Sequence, residues 1–214
     1  GPATPPPALV LASASPRRAE LLTSMGIAFT TRAADLDERA RPGEAPDRYV
    51  ERLARAKADH AAGTGSHPPT AVILAADTTV SIDDHLLGKP ASDEEARSML
   101  HRLSGRSHRV YTGLAVHVGG RTCSRVDHAT VTFADLDDRE IDWYVRTGEP
   151  FDKAGGYAVQ GAGGYLVARV DGDVQTVIGM SLRAVSGALR EAGIELLDLV
   201  RWPDPPRSTP DRHR

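Results

Sequence analysis

The chain has 214 residues, 40% of them hydrophobic, and a formal charge of −3; this is enough to bury one sizeable core, or two lobes sharing a cleft, and it excludes a fibre or a disordered chain. Arginines are scattered among acids rather than gathered in a basic stripe, which argues against a nucleic-acid surface, and no apolar run reaches membrane-spanning length. The single cysteine, Cys123, excludes an intrachain disulfide framework and a cysteine-rich zinc site, so a reducing cytoplasmic compartment is expected.

Residues 1–7 are proline-rich and offer no apolar stretch for a signal peptide, and residues 204–214 are Pro, Asp, Arg and Ser without apolar periodicity. Both are expected to be disordered, flanking one domain over 8–203. The first predicted strand, Ala8 to Ala12, hands over through Ser13-Ala14-Ser15 to a helix that opens at Pro16, with Ser15 as its cap and Leu21, Leu22 and Met25 at helical spacing. A short strand at Ala28 to Arg32 and an acidic loop, Asp35 to Pro46, precede a helix from Asp47 to Ala62 whose apolar stripe holds Tyr49, Val50, Leu53, Ala54 and Ala58. Ala71 to Ala76 is an uninterrupted apolar run, a strand buried on both faces, which ends in Asp77-Thr78-Thr79. Val80 to Leu87 is a hairpin about Asp83-Asp84, closed by Gly88-Lys89-Pro90, and Ser92 with Glu95 forms a capping box for a helix to Leu103. Two alternating strands, Arg109 to Val118 and Arg121 to Phe133, form a long hairpin at Gly119-Gly120. A helix from about Asp137 to Arg146, a glycine-dense stretch at 155–164, two strands around Asp171-Gly172-Asp173 and a helix from Ser181 to Ala192 complete the chain. Helices interleaved with buried and hairpin-type strands imply an α/β protein with a mixed sheet, and ligands in such folds collect at strand carboxyl ends, where Asp77 and the Ser13 to Arg18 turn are expected.

The first turn of a helix is partially positive, so Arg17 and Arg18 repel it unless an anion joins them; with free amides and serine hydroxyls they form a site suited to phosphate or carboxylate. Asp77 leaves a rigid apolar strand, as catalytic carboxylates are commonly presented, and with Arg17, Arg18, Lys57 and Lys89 it is suited to holding a divalent metal against a phosphate. Lys57 falls on the polar face of its helix, so periodicity alone makes it solvent-exposed, and Asp35 and Asp37 read as solvated turn residues. Near the glycines, Gln160 carries a donor and an acceptor on one amide, the equipment for reading the edge of a base. The eight histidines show no metal-binding spacing.

LASASPRRAELL (11–22), RLARAKA (52–58), AADTTV (75–80), LGKP (87–90), LSGRSHRVYTGLAV (103–116) and EPFDKAGGYAVQG (149–161), in that order and spacing, resemble the Maf family of nucleoside triphosphate pyrophosphatases from about Leu9 to Leu196. The resemblance implies a mixed sheet of the Maf/inosine triphosphatase kind with flanking helices, two lobes around a deep cleft, and a homodimer. It implies cleavage of a nucleoside triphosphate between its α and β phosphates with Mg²⁺ or Mn²⁺. Asp77 would be the general base or metal-bound acid, Glu38 would share the metal, and Ser13, Arg17, Arg18, Lys57 and Lys89 would hold the triphosphate. Arg17, Thr78 and Gln160 match the group that prefers dTTP and UTP, with CTP and modified pyrimidines as further substrates. Ala56 stands where glutamate is common, so an acidic contribution from that helix to metal binding is not expected, and Ile178-Gly179-Met180-Ser181-Leu182 replaces a commoner VGLPL, so the cleft wall or the start of the last helix is expected to differ. The alternatives are a 7-methyl-GTP pyrophosphatase and a non-catalytic nucleotide-binding regulator of septum formation or division arrest; neither nucleic acid nor a membrane is an expected partner.

Overall fold

The computed structural model describes residues 4–202. The disorder expected at 204–214, and that expected at 1–3, lies outside the described residues, while residues 4–8 belong to no regular element. In chain order the elements are β1 (Leu9–Leu11), α1 (Pro16–Ser24), β2 (Thr30–Thr31), α2 (Pro46–Thr64), β3 (Val72–Ile82), β4 (His85–Leu87), α3 (Asp93–Leu103), β5 (Ser107–Val118), β6 (Arg121–Phe133) and α4 (Asp138–Arg146). Short 3₁₀ segments between 149 and 166 lead to β7 (Val167–Asp171), α5 (Val174–Ile178), α6 (Leu182–Glu191) and a 3₁₀ turn at Leu196–Leu199.

One seven-stranded sheet runs in the order β2-β1-β3-β5-β6-β7, with β4 added to the far end of β3. The sheet is mixed as expected, because β1 lies parallel to β2 and β3 while the other pairs are antiparallel. Alternation along β3 sorts its side chains between two layers. Val72, Leu74 and Ala76 pack with Leu22 of α1 and Val185, Ala188 and Leu189 of α6. Ile73 and Ala75 meet Ala54, Ala58 and Ala61 of α2 on the other face. These small residues bring α2 very close: a Cβ on Gly113 of β5 would strike the Val50 carbonyl. A second core gathers Val80, Ile82, Val110, Val131 and Phe133 under Leu100 and Leu103 of α3 and Ile141, Tyr144 and Val145 of α4.

The two cores therefore divide β3 and β5 between them, and the polar residues Asp77, Thr78, Thr79 and Thr112 lie at the waist. Asp77 does not end its strand as the apolar run suggested. β3 continues to Ile82, and Asp77 pairs in register with Gly113. The end that matters is that of β1, whose pairing with β3 stops at Leu74, while β4 joins the same edge only at Val80. The intervening edge of β3 opens onto a cleft.

Both two-residue hairpin turns use positive φ, Gly119 and Gly120 at 58° and 75° and Asp83 and Asp84 at 51° and 60°. Glycine adopts this region freely and aspartate tolerates it. Only one of the two strands expected around Gly172 forms. Asp173 instead caps α5, accepting from the Gln175 N–H at 2.8 Å and the Ser181 hydroxyl at 2.6 Å; the local side-chain cap outweighs the β-branched composition of the segment that follows.

Candidate active site

Every side chain singled out from the sequence, Ser13, Arg17, Arg18, Glu38, Lys57, Asp77, Thr78, Lys89 and Gln160, lines one cleft of about 650 Å³, a size typical of sites for small molecules. Five basic residues, Arg17, Arg18, Lys57, Lys89 and Lys153, face three acidic ones, Glu38, Asp77 and Asp152.

The turn before α1 is built by its own polar atoms. Ser15 caps the helix by accepting from the Arg18 N–H, and Ser13 Oγ accepts from the Ser15 N–H at 3.1 Å. Arg18 turns inward. Its Nη1 donates to Ser13 Oγ at 3.1 Å, its Nε to the Gly179 carbonyl at 2.9 Å and its Nη2 to Thr78 Oγ1 at 3.0 Å. Burial lowers its pKa to about 10 against the attraction of Asp77, so it stays charged at neutral pH. Thr112 donates to the Thr176 carbonyl at 2.8 Å, which leaves Thr78 as donor in the 2.9 Å contact between the two threonines. Thr78 thus braces Arg18 from the sheet. Arg17 donates through Nε to the Ile178 carbonyl at 3.4 Å and lies 3.6 Å from Asp152. Carbonyls at the end of α5 absorb the excess positive charge that made this helix start unusual, and the departing Ile178-Gly179 stretch does form part of the cleft wall.

Lys57 corrects the periodicity argument. Its side chain is only 12% exposed, and its Nζ lies 2.8 Å from Asp77 Oδ1 and 2.7 Å from Glu38 Oε1. The polar-face reading misjudged the spacing: Lys57 lies three, four and seven residues after Ala54, Leu53 and Val50, on the buried face of α2, and the close seat of α2 on Gly113 and the loop carrying Glu38 enclose it. Burial pushes the pKa of Asp77 up, while Lys57 and Arg18 oppose that rise. Tyr49, read from the sequence as part of an apolar stripe, lines the cleft and donates its hydroxyl to the Glu38 carbonyl at 2.6 Å. Nothing in the helical pattern distinguished that phenol from a core residue. Lys89 and Gln160 are exposed in the same cleft, and the segments that carry them are joined by the Gly155 N–H, which donates to the Gly88 carbonyl at 3.1 Å.

Glu38 and Asp77 converge on a single point held by an ammonium, and no group of three or more metal-ligating side chains occurs among the described residues. Two carboxylates completed by oxygens from outside the protein suit Mg²⁺ or Mn²⁺ arriving with a phosphorylated ligand. Fold and cleft thus define a mixed α/β protein able to hold a polyanion against one buried carboxylate.

Residues 8–192 match the family described as Maf-like protein, and the chain belongs to that family. A Myxococcus xanthus protein named dTTP/UTP pyrophosphatase is 52% identical over 188 residues, covering 88% of this chain and 94% of its own. Proteins of the same name from Anaeromyxobacter dehalogenans (50% identical; 89% and 96% covered) and Pseudoalteromonas atlantica (47%; 81% and 91%) are also similar. The Staphylococcus aureus Ham1 protein superposes with a TM-score of 0.44 at 15% identity, covering 60% of this chain and 72% of that one, too distant to bear on the site.

Proposed function

We propose that the chain, acting as one domain over residues 8–203, hydrolyses dTTP and UTP, and to a lesser degree CTP and modified pyrimidine nucleotides, to the nucleoside monophosphate and pyrophosphate. Relatives of that name support this reading. The observation that carries it is a buried carboxylate, Asp77, on the floor of a cleft with five basic side chains.

Arg17, Arg18, Lys57 and Lys89 bind the triphosphate and offset charge growing on the leaving pyrophosphate. Asp77, its pKa raised by burial, accepts the proton of a water whose oxygen bonds to the α-phosphorus as the bond to the β-phosphate oxygen breaks. Lys57 keeps Asp77 ionised for that task and aims it. Asp77 and Glu38 would hold the divalent ion, which supplies neutralising charge to the phosphates when bound. Gln160 reads the pyrimidine edge, and Thr78 contributes to selectivity by fixing Arg18. We place the reaction in the cytoplasmic nucleotide pool and expect a homodimer, which light scattering checks.

The test is pyrophosphate release from a nucleoside triphosphate panel, with Mg²⁺, with Mn²⁺ and with chelator, by the natural chain and Asp77→Asn. Metal-dependent release from dTTP and UTP that vanishes in Asp77→Asn with nucleotide binding retained supports the reading. Release only from 7-methyl-GTP overturns the selectivity, and hydrolysis untouched by Asp77→Asn overturns the mechanism. Nucleotide binding without any release favours a regulator.

A further inference from the structure

The segment that presents Gln160 has little to hold it in place locally. Residues 157–160 lie in no helix or strand, and they are bounded by Gly155, Gly156 and Gly161, all with φ between 64° and 76°. Left-handed glycines on both sides make strong hinges, so tethers from outside must set where the segment sits. Two come from the second core. The Tyr157 hydroxyl lies 2.6 Å from His108 Nε2 on β5, and the Ala158 N–H donates at 3.0 Å to the Tyr144 hydroxyl on α4. That hydroxyl in turn donates to Glu149 Oε1 at 2.7 Å, which also accepts from the Gly163 N–H at 3.0 Å.

His108 is 3% exposed and has no role in the mechanism above. Its ring stands edge-on to Phe133 at 5.3 Å and to Tyr157 at 5.4 Å, and Phe133 meets Tyr157 edge-on at 4.7 Å, so the imidazole and phenol are fixed in orientation as well as distance. His108 Nδ1 is buried without a hydrogen-bond partner among the described residues. The Tyr157 hydroxyl has no second partner among the described residues either, so each imidazole tautomer leaves one polar hydrogen unpaired and the two rings share a single hydrogen bond, the phenol or Nε2 donating according to the tautomer. A buried polar pair in an otherwise apolar cluster is an expensive way to pack a core, and a directional one. Its direction sets Tyr157, three residues from Gln160.

We propose that His108 and Tyr157 are positioning residues for base selection: their buried hydrogen bond fixes the glycine-hinged segment so that Gln160 meets the base at one height in the cleft. The proposal rests on the nucleotide-cleft reading above. It involves no contact of His108 with substrate and no proton transfer.

The experiment measures kcat and KM for dTTP, UTP, CTP and dGTP on Tyr157→Phe, His108→Gln, His108→Leu, Gln160→Ala and the Tyr157→Phe/Gln160→Ala double variant, with thermal melts of each. Tyr157→Phe should lower the preference for dTTP over dGTP roughly fivefold to tenfold, the size of one hydrogen bond, through KM with kcat within about twofold. His108→Gln, whose amide offers both a donor and an acceptor at similar reach, should retain most of the preference, and His108→Leu should not. The double variant should lose no more than Gln160→Ala alone, because the tether acts through that amide. Effects that multiply in the double variant, or that fall equally on every substrate, or a lowered melting temperature with selectivity intact, overturn the proposal. If the natural chain hydrolyses no nucleotide, the functional reading fails separately, and the same ratios are then read from Kd values by calorimetry in chelator.

Discussion

Replacing Lys57 by methionine keeps the aliphatic stem and removes one charge between two carboxylates. Each oxygen lies within 2.8 Å of Nζ. At an effective dielectric near 20, a contact of that length is worth on the order of 5 kcal/mol before desolvation is subtracted. Glu38 is 47% exposed and recovers water. Asp77, at 11% side-chain exposure, does not. Breaking a largely buried pair from one side leaves a net loss of about 3 kcal/mol at pH 7, or roughly 6–12 °C in Tm for a domain of this size. The sign of the pH dependence follows from Asp77. Its folded pKa lies above its unfolded value because of burial, so between the two the folded state binds the extra proton and stability falls as pH rises. Removing Lys57 raises the folded pKa further, and part of the lost stability should return when the variant is melted at pH 5. Calorimetry at both pH values, beside pyrophosphate release at pH 7.5, checks this. A Lys57→Met variant as stable as the natural chain at pH 7, or one that loses more stability at pH 5 than at pH 7, would refute the argument that Lys57 compensates a buried charge.

Gly113→Ala should be destabilising by about 1–3 kcal/mol, because its methyl group meets the Val50 backbone rather than a movable side chain, and should reduce kcat by shifting α2 and Lys57 with it; chemical denaturation and turnover check both. Arg18→Lys replaces a planar fork that reaches three separate acceptors by one ammonium nitrogen that cannot span them all, with a stability loss of about 2 kcal/mol in denaturant titration and weaker nucleotide binding by calorimetry. Burial holds His108 at about 4, below the ordinary value of 6.5, so the unfolded chain takes up the proton first as the solution is acidified. Stability contributed by the neutral ring is full above about pH 6.5 and is lost towards pH 4, up to about 3 kcal/mol; His108→Gln should flatten that part of a stability-against-pH curve.

Much of the scaffold is legible one segment at a time. Ser15-Pro16 is a helix start, Asp83-Asp84 and Gly119-Gly120 are hairpin turns, and Val72 to Ala76 is a strand covered on both faces, because caps, φ preferences and side-chain alternation depend on neighbours along the chain. Asp173 misled for a related reason, since a cap and a strand continuation compete within the same few residues. The family motifs named residues that the structure gathers in one cleft, yet gave neither their partners nor their burial.

Those were decided by what the chain brings together from afar. Lys57 and Asp77 are twenty residues apart, and Arg18 reaches Gly179 across 161. Correctly counted, periodicity sets Lys57 among Val50, Leu53 and Ala54 but names no partner for its charge; only the sheet edge left open between β1 and β4, with α2 pressed onto Gly113, makes it a buried counter-ion. Likewise His108 and Tyr157 read as an isolated histidine and a loop tyrosine until β5 and the glycine segment meet in the second core. Local chemistry along the sequence determined the elements and the residue types available for catalysis, whereas charge compensation, hydrogen-bond partners and exclusion of water depend on long-range packing and so belonged to the tertiary structure alone.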